Sequence, residues 1–254
     1  MPDASASAAA PLAAPFPPYV ATVFDGHTHP SPDTEWLLTL GNGGYAMGTA
    51  SLVARRKYHN LLIASTRPPV DRLAVLTALD ESVVFPGPGG ASQSTALFSH
   101  RGLDGKVAPE GWRRLVKFEK EVDACRWTYE VGPVRVVKEL RLGWRRNTCA
   151  VRYQVRSESP KVRIEISPRV ALRDFHGTLP RVDRGRYEVQ APTEQGGRRM
   201  SVSAEAFGER RTALIESSAG WIEPGVEVIP GIRLDFETER HQEDEDSLFT
   251  PGRF

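Results

Sequence analysis

Apolar and polar residues alternate along much of the chain with a period of two. The segment TCAVRYQVRS places Cys149, Val151 and Tyr153 on one side of an extended strand and its arginines on the other. The segment KVRIEISP repeats the pattern with Val162 and Ile164. Successive side chains of a β-strand point to opposite faces, so this alternation predicts strands with one buried face and one solvated face.

The segment CRWTYEVGPVRVVKELRLGW contains two such runs joined at Gly132 and Pro133, and this pair of turn-forming residues predicts a β-hairpin. Helical periodicity is weak, and the 22 glycines and 20 prolines favour many turns over long helices. The sequence therefore predicts an all-β fold, a large antiparallel β-sandwich. Further strands are predicted near 44–53, 58–66, 72–79, 112–122, 186–191, 200–207, 212–217 and 226–238.

The chain is expected to contain one folded domain. Residues 1–20 are rich in alanine, proline and serine, which cannot form a packed core, so they are expected to be a disordered tail. The domain is expected to span 21–254. The glycine-rich segments 85–95 and 193–199 predict exposed loops, and the acidic run ETERHQEDEDS, residues 237–247, predicts a solvated segment.

Charge and cysteine content argue against several classes of function. Lys and Arg total 33 against 32 for Asp and Glu, so the chain has no net field to attract nucleic acid. The sequence contains no run of 18 apolar residues, which argues against a membrane partner. The two cysteines have no metal-type spacing and do not make a disulfide framework. We expect a cytoplasmic protein that needs no cofactor.

Two short motifs need to be weighed against known phosphate, dinucleotide and metal sites. GNGGYAMG, residues 41–48, has neither the Gly-Lys-Ser/Thr of a phosphate loop nor the glycine spacing of a dinucleotide site. The motif Asp25-Gly-His27-Thr-His29 after an apolar run is typical of metal-dependent amidohydrolases, which is one alternative function. Such enzymes need further ligands that the later histidines do not supply. We therefore expect His27 and His29 to lie in an exposed loop and the chain to bind no metal.

Longer stretches of the sequence point to a family. EWLLTLGNGGYAMGTASLVARRKYHNLLIASTRPPVDRLAVLTALDESV resembles the N-terminal domain of bacterial and archaeal glycogen debranching enzymes. The resemblance continues through NTCAVRY, SPRVALRDFHG and EDSLFTPGRF, and it covers roughly residues 33–254. Leu40, Asn42 and Asn60 depart from the pattern of the family.

This resemblance implies a division of labour. In the family, the amylo-α-1,6-glucosidase is a following α/α barrel in which paired carboxylates act on the branch linkage. This chain alone is therefore expected to lack catalytic residues. Because the family's final strand follows LFTPGRF, the chain is also expected to lack the final strand or strands of the β domain. The expected partners are glycogen or malto-oligosaccharide and a catalytic α/α-barrel domain or polypeptide. The alternative is a scaffold domain that packs on such a barrel without binding glucan.

Neutral sugars are bound by aromatic platforms together with planar polar side chains that pair with hydroxyl groups. Because a central strand is predicted from residue 58, the polar residues 55–59 are expected at the rim of a sheet. Trp36 could instead belong to the core, and RDFH could be an internal ion-pair network. The substrate-binding candidates are Trp36, Tyr45 and Tyr58 as platforms, and Arg55, Arg56, His59, Asp174 and His176 as hydroxyl ligands.

Overall fold

The computed structural model describes residues 34–68, 70–159, 161–192 and 196–254. The predicted tail over 1–20 and the pair His27 and His29 lie outside the described residues. Within the described part, no helix combines the length and the apolar character needed to cross a membrane.

The described chain is built from strands, one short α-helix and three short 3-10 helices at Pro88–Gly90, Gly111–Arg114 and Arg184–Arg186. Every pairing between these strands is antiparallel. The elements are β1 Glu35–Thr39, β2 Tyr45–Thr49, β3 Asn60–Arg67, β4 Asp71–Pro86, β5 Ser92–Ala96, β6 His100–Arg101, β7 Val107–Ala108, β8 Leu115–Lys120, β9 Ala124–Val131, β10 Val134–Leu142, β11 Cys149–Ser157, β12 Arg163–Asp174, β13 Glu188–Gln190, β14 Arg199–Ala206, β15 Glu209–Glu216, β16 Glu223–Arg233, α1 Asp235–Glu239 and β17 Glu245–Arg253.

These strands form four sheets. The largest has eight strands in the order β1-β2-β3-β4-β12-β17-β16, with β5 paired to the second half of β4. A four-stranded sheet has the order β11-β10-β9-β8, a three-stranded sheet the order β13-β14-β15, and β6 pairs with β7. The hairpin predicted at Gly132 and Pro133 is confirmed, since Val131 pairs with Val134 across it.

The eight-stranded sheet contributes to two hydrophobic cores. In the first, Trp36 of β1 meets Trp127 of β9 edge-on with ring centroids 5.5 Å apart, so this core joins the large sheet to the four-stranded sheet. In the second, Leu172 and Phe249 of the large sheet pack with Val202 of the three-stranded sheet. The predicted all-β, sandwich-like fold is confirmed.

Two sequence predictions about loops are corrected. The acidic run 237–247 is not simply solvated, because Glu237 is 0% exposed and Asp246 is 5% exposed. Asp246 tolerates burial because Arg173 donates to it at 2.8 Å and the backbone N–H of Leu179 donates at 2.8 Å. Residues 85–95 are not a plain loop, since they contain the end of β4 and most of β5.

Candidate functional site

The segment from Arg55 to His59 forms a turn that leads into β3. The backbone N–H of His59 donates to the carbonyl of Arg56 at 3.0 Å, and β3 begins at Asn60. The strand predicted from residue 58 therefore starts two residues too early. The turn lies at one end of a strand in the large sheet, as the sequence predicted for the rim.

His59 is held in one tautomer by its two partners. Its Nδ1 accepts from the backbone N–H of Arg55 at 3.1 Å, so the ring proton is assigned to Nε2, which lies 2.7 Å from Glu35 Oε1. Burial lowers the pKa of His59, with the Glu35 hydrogen bond acting against it. The hydrogen bond from His59 lowers the pKa of Glu35 from 4.5 to about 2, although burial opposes it. A neutral imidazole therefore donates to an ionised carboxylate.

The two arginines of the turn are engaged in internal ion pairs. Arg56 donates to both carboxylate oxygens of Glu35, from Nε at 2.6 Å and from Nη2 at 3.3 Å. Arg55 pairs in the same bidentate way with Asp235, with Nη2 2.8 Å from Oδ2. Their guanidinium groups lie 3.5 Å and 4.5 Å from the ring centroid of Phe236. These contacts join the turn to α1 and to β1.

A group of rings lies on the outer side of this turn, and we name Tyr58, Phe175 and His176 the aromatic ledge. The Tyr58 hydroxyl is 3.1 Å from His176 Nδ1. The Phe175 and His176 ring centroids are 3.8 Å apart, and Tyr58 lies 5.7 Å from each. Asp174 accepts the backbone N–H of His176 at 2.9 Å. His176 and Asp174 are exposed, Tyr58 is half-buried and Phe175 is buried, so solvent reaches the ledge at Tyr58 and His176.

Arg72 and Tyr45 extend this exposed neighbourhood. Arg72 donates from Nε to the carbonyl of Gly43 at 2.7 Å, and its guanidinium lies 5.3 Å from the Phe175 ring centroid. Burial raises the pKa of Tyr45 to about 12, while the positive charges of Arg72 and Arg173 act against it. Tyr45 therefore lies close enough to Arg72 to feel its charge.

Trp36 is corrected as a platform candidate. Its side chain is in the first core, the residue is 4% exposed, and its indole N–H donates to the carbonyl of Thr49 at 2.9 Å. A sugar-stacking platform needs one free ring face, and the core covers this ring. The structure thus brings Tyr45, Tyr58, Asp174 and His176 to one side, and it commits Arg55, Arg56 and His59 to internal pairs.

A small cavity lies beneath the turn. It is about 30 Å³ and is lined in part by His59, Arg173 and Asp246. Arg173 also donates to the carbonyl of Lys57 at 3.2 Å, which supports the turn from below. A cavity of this size holds a water molecule and is too small for a sugar ring. Any carbohydrate that meets these residues must therefore do so at the surface.

Sequence reasoning missed several residues of this region. Glu35 alternates with Trp36 along β1, so the period of two could have placed it on the opposite, polar face. Asp235 and Phe236 lie 180 residues or more from Arg55 in the chain, and no local pattern connects them. Arg72 is one cation among many, and only the fold brings it to Phe175.

The fold is that of an antiparallel β-sandwich domain with an exposed aromatic and polar face. The family model for the N-terminal domain of glycogen debranching enzyme matches residues 34–254. The chain therefore belongs to this family, and the resemblance drawn from its sequence is confirmed. A search of curated proteins gave no match.

Proposed function

We propose that this chain is a glucan-binding domain that positions substrate for a glycogen debranching enzyme in α-glucan breakdown. The observation that carries the proposal is the aromatic ledge at the solvent-exposed side of the turn before β3. The exposed ring of His176 and the half-buried ring of Tyr58 offer faces for the C–H surface of a sugar, and the buried Phe175 packs against both rings. Asp174 and Arg72 flank the rings with groups that can accept from and donate to sugar hydroxyls.

Within this proposal the candidate residues have two roles. Tyr58, His176 and Asp174 contact the sugar directly. Arg55, Arg56 and His59 act as positioning residues, because their pairs with Asp235 and Glu35 fix the turn that carries Tyr58. Their guanidinium and imidazole groups do not need to reach the ligand to affect binding.

The proposal assigns catalysis to another part of the system. A catalytic α/α-barrel domain or polypeptide would supply the carboxylate pair that cleaves the branch linkage. This domain would hold the chain of a glycogen or malto-oligosaccharide substrate beside it, in the cytoplasm and without a cofactor. Purified alone, it is expected to release no glucose from a branched limit dextrin.

The direct test is calorimetric titration of the purified chain with maltoheptaose, supported by retardation in native gels that contain glycogen. His176→Ala removes one ring and the partner of the Tyr58 hydroxyl, and it should weaken binding by roughly tenfold, about 1.4 kcal/mol. Trp221→Ala is the matched control, since Trp221 is an exposed aromatic residue on the loop between β15 and β16. It should bind as the parent does.

A scaffold that packs on a barrel without binding glucan is the second candidate function. The internal pairing of Arg55, Arg56 and His59 favours it, because paired groups can serve structure alone. Absence of measurable affinity for maltoheptaose and glycogen in the parent chain would support the scaffold and overturn the glucan-binding proposal.

A further inference from the structure

Trp144 is an exposed tryptophan on a firmly held loop. It lies between β10 and β11 and is 68% exposed. The next residue, Arg145, donates its backbone N–H to the carbonyl of Leu40 at 2.7 Å. Asn147 binds both backbone groups of Ser65, accepting at 3.0 Å and donating at 2.8 Å. The loop that carries Trp144 is therefore attached to the turn after β1 and to β3.

The ring of Trp144 lies against the backbone of Gly41. A Cβ at position 41 would stand 2.5 Å from Cη2 and 2.6 Å from Cζ3 of the indole, so only glycine allows this approach. Gly41 also has φ +74°, a backbone conformation that side chains disfavour. One edge of the ring is thus seated on the turn while most of its surface faces solvent. The fold therefore does not bury most of the apolar surface of this ring.

The same turn joins Trp144 to the aromatic ledge. Gly43, two residues after Gly41, receives the Arg72 hydrogen bond, and Arg72 lies over Phe175 of the ledge. A Cβ at Gly43 would lie 3.4 Å from Ser65 Oγ, a buried hydroxyl without a hydrogen-bond partner among the described residues. The surface therefore carries the Trp144 ring at one end and the ledge with His176 at the other. The turn 41–44 and the guanidinium of Arg72 lie between them.

We propose that Trp144 is a second sugar-stacking platform of the same glucan site. An α-glucan chain would cross the turn 41–44, stack on Trp144 at one end and on the ledge at the other, and meet Arg72 in between. Gly41 lets the indole of Trp144 lie against the turn, which fixes the position of this platform. This inference rests on the proposed function and adds a chain-length preference to it. Longer malto-oligosaccharides bind more tightly than maltose because they reach both platforms.

The experiment compares maltose and maltoheptaose by calorimetric titration of the parent, Trp144→Ala and Trp221→Ala. Trp144→Ala should lose about tenfold in affinity for maltoheptaose, the scale of one aromatic contact. Its preference for maltoheptaose over maltose should shrink, whereas Trp221→Ala should keep both values. Trp221 is a suitable control because it is exposed to a similar degree, 57%, on another loop.

Tryptophan fluorescence gives a second readout that does not depend on heat of binding. Trp36 and Trp127 are buried and Trp112 is half-buried, so a surface sugar should change mainly the emission of the exposed Trp144 or Trp221. Maltoheptaose should alter the emission of the parent and of Trp221→Ala, and this change should disappear in Trp144→Ala. Gly41→Ala keeps the indole, but the added Cβ would displace the Trp144 ring from its contact with the turn. This variant should therefore also bind maltoheptaose more weakly.

The possible failures are distinguishable. A parent that binds maltoheptaose, together with a Trp144→Ala variant of equal affinity and unchanged length preference, overturns the inference and leaves the proposed function in place. A parent that binds no α-glucan overturns both. Trp144→Phe retains an aromatic ring and should keep most of the affinity, and its behaving like Trp144→Ala would contradict stacking.

Discussion

The carboxylate of Glu35 holds the turn before β3 through two partners, and its removal is predicted to destabilise the domain. Glu35→Ala leaves the His59 Nε2–H and the Arg56 guanidinium without their acceptor. His59 is almost fully buried, so its donor cannot be fully hydrated in exchange. Glu35→Gln keeps an acceptor for His59 but removes the charge that pairs with Arg56.

The pKa of Glu35 sets the expected magnitude. The difference between 4.5 and about 2 corresponds to about 3 kcal/mol. The Glu35 side chain is 26% exposed, so solvent screening reduces the contribution to stability to about 1–2 kcal/mol. Because the folded state depresses the pKa, this stability is present above pH 4.5 and is lost as the pH falls towards 2. The lowered pKa of His59 acts in the same direction, since acid favours the unfolded chain in which that imidazole protonates freely.

Urea unfolding followed by circular dichroism measures both effects. At pH 7, Glu35→Ala should lower the free energy of unfolding by about 1–2 kcal/mol, and Glu35→Gln should lower it by less. Between pH 5 and 3 the two variants should lose stability less steeply than the parent, because the group that titrates there is gone. Glu188→Ala removes an exposed carboxylate paired with Arg210 and serves as the control with little expected change. Equal pH slopes in parent and Glu35 variants would refute the assignment of an ionised, paired Glu35.

Two further predictions concern the interior. Lys138 and Glu81 form a buried ion pair at 2.6 Å. Lys138→Met should therefore lower the free energy of unfolding in urea by about 3–5 kcal/mol, and adding Glu81→Gln should restore part of that loss. Equal losses in the single and double variants would contradict this. Gly44→Ala would place a Cβ 2.7 Å from the carbonyl oxygen of Ile63, whereas Gly225→Ala meets no atom within 4 Å. The melting temperature should fall clearly for the first and little for the second, and the opposite order would show that the close approach at Gly44 is not rigid.

The sequence predicted strands best where one face is buried and the other is solvated. β10 shows this at its start, because Val134 and Val136 face the core while Arg135 between them is exposed. The start of β3 was misplaced because the turn is closed by a backbone hydrogen bond from His59 to Arg56, which side-chain patterns do not encode. The acidic run was misjudged for a similar reason, since Arg173, the partner of Asp246, is 73 residues away.

The site was predictable by residue type and not by geometry. Tyr58 and His176 were both candidates for sugar contact, yet their meeting across 118 residues depends on the order of strands in the large sheet. Trp36 and Trp144 have the same side chain, but β1 turns the first into the core and a short loop leaves the second in solvent. Composition alone does not distinguish these two environments.

The order of strands in the large sheet has a consequence for synthesis on the ribosome. β4 pairs with β12, whose first residue Arg163 emerges well after Pro86 has left the exit tunnel. At the usual rate of translation this delay is on the order of ten seconds. During that interval the apolar side chains of β3 and β4 lack their final neighbours, and β17, which lies between β12 and β16 in the sheet, is made after both of them. The nascent chain is therefore expected to need chaperone protection at least until β17 is made.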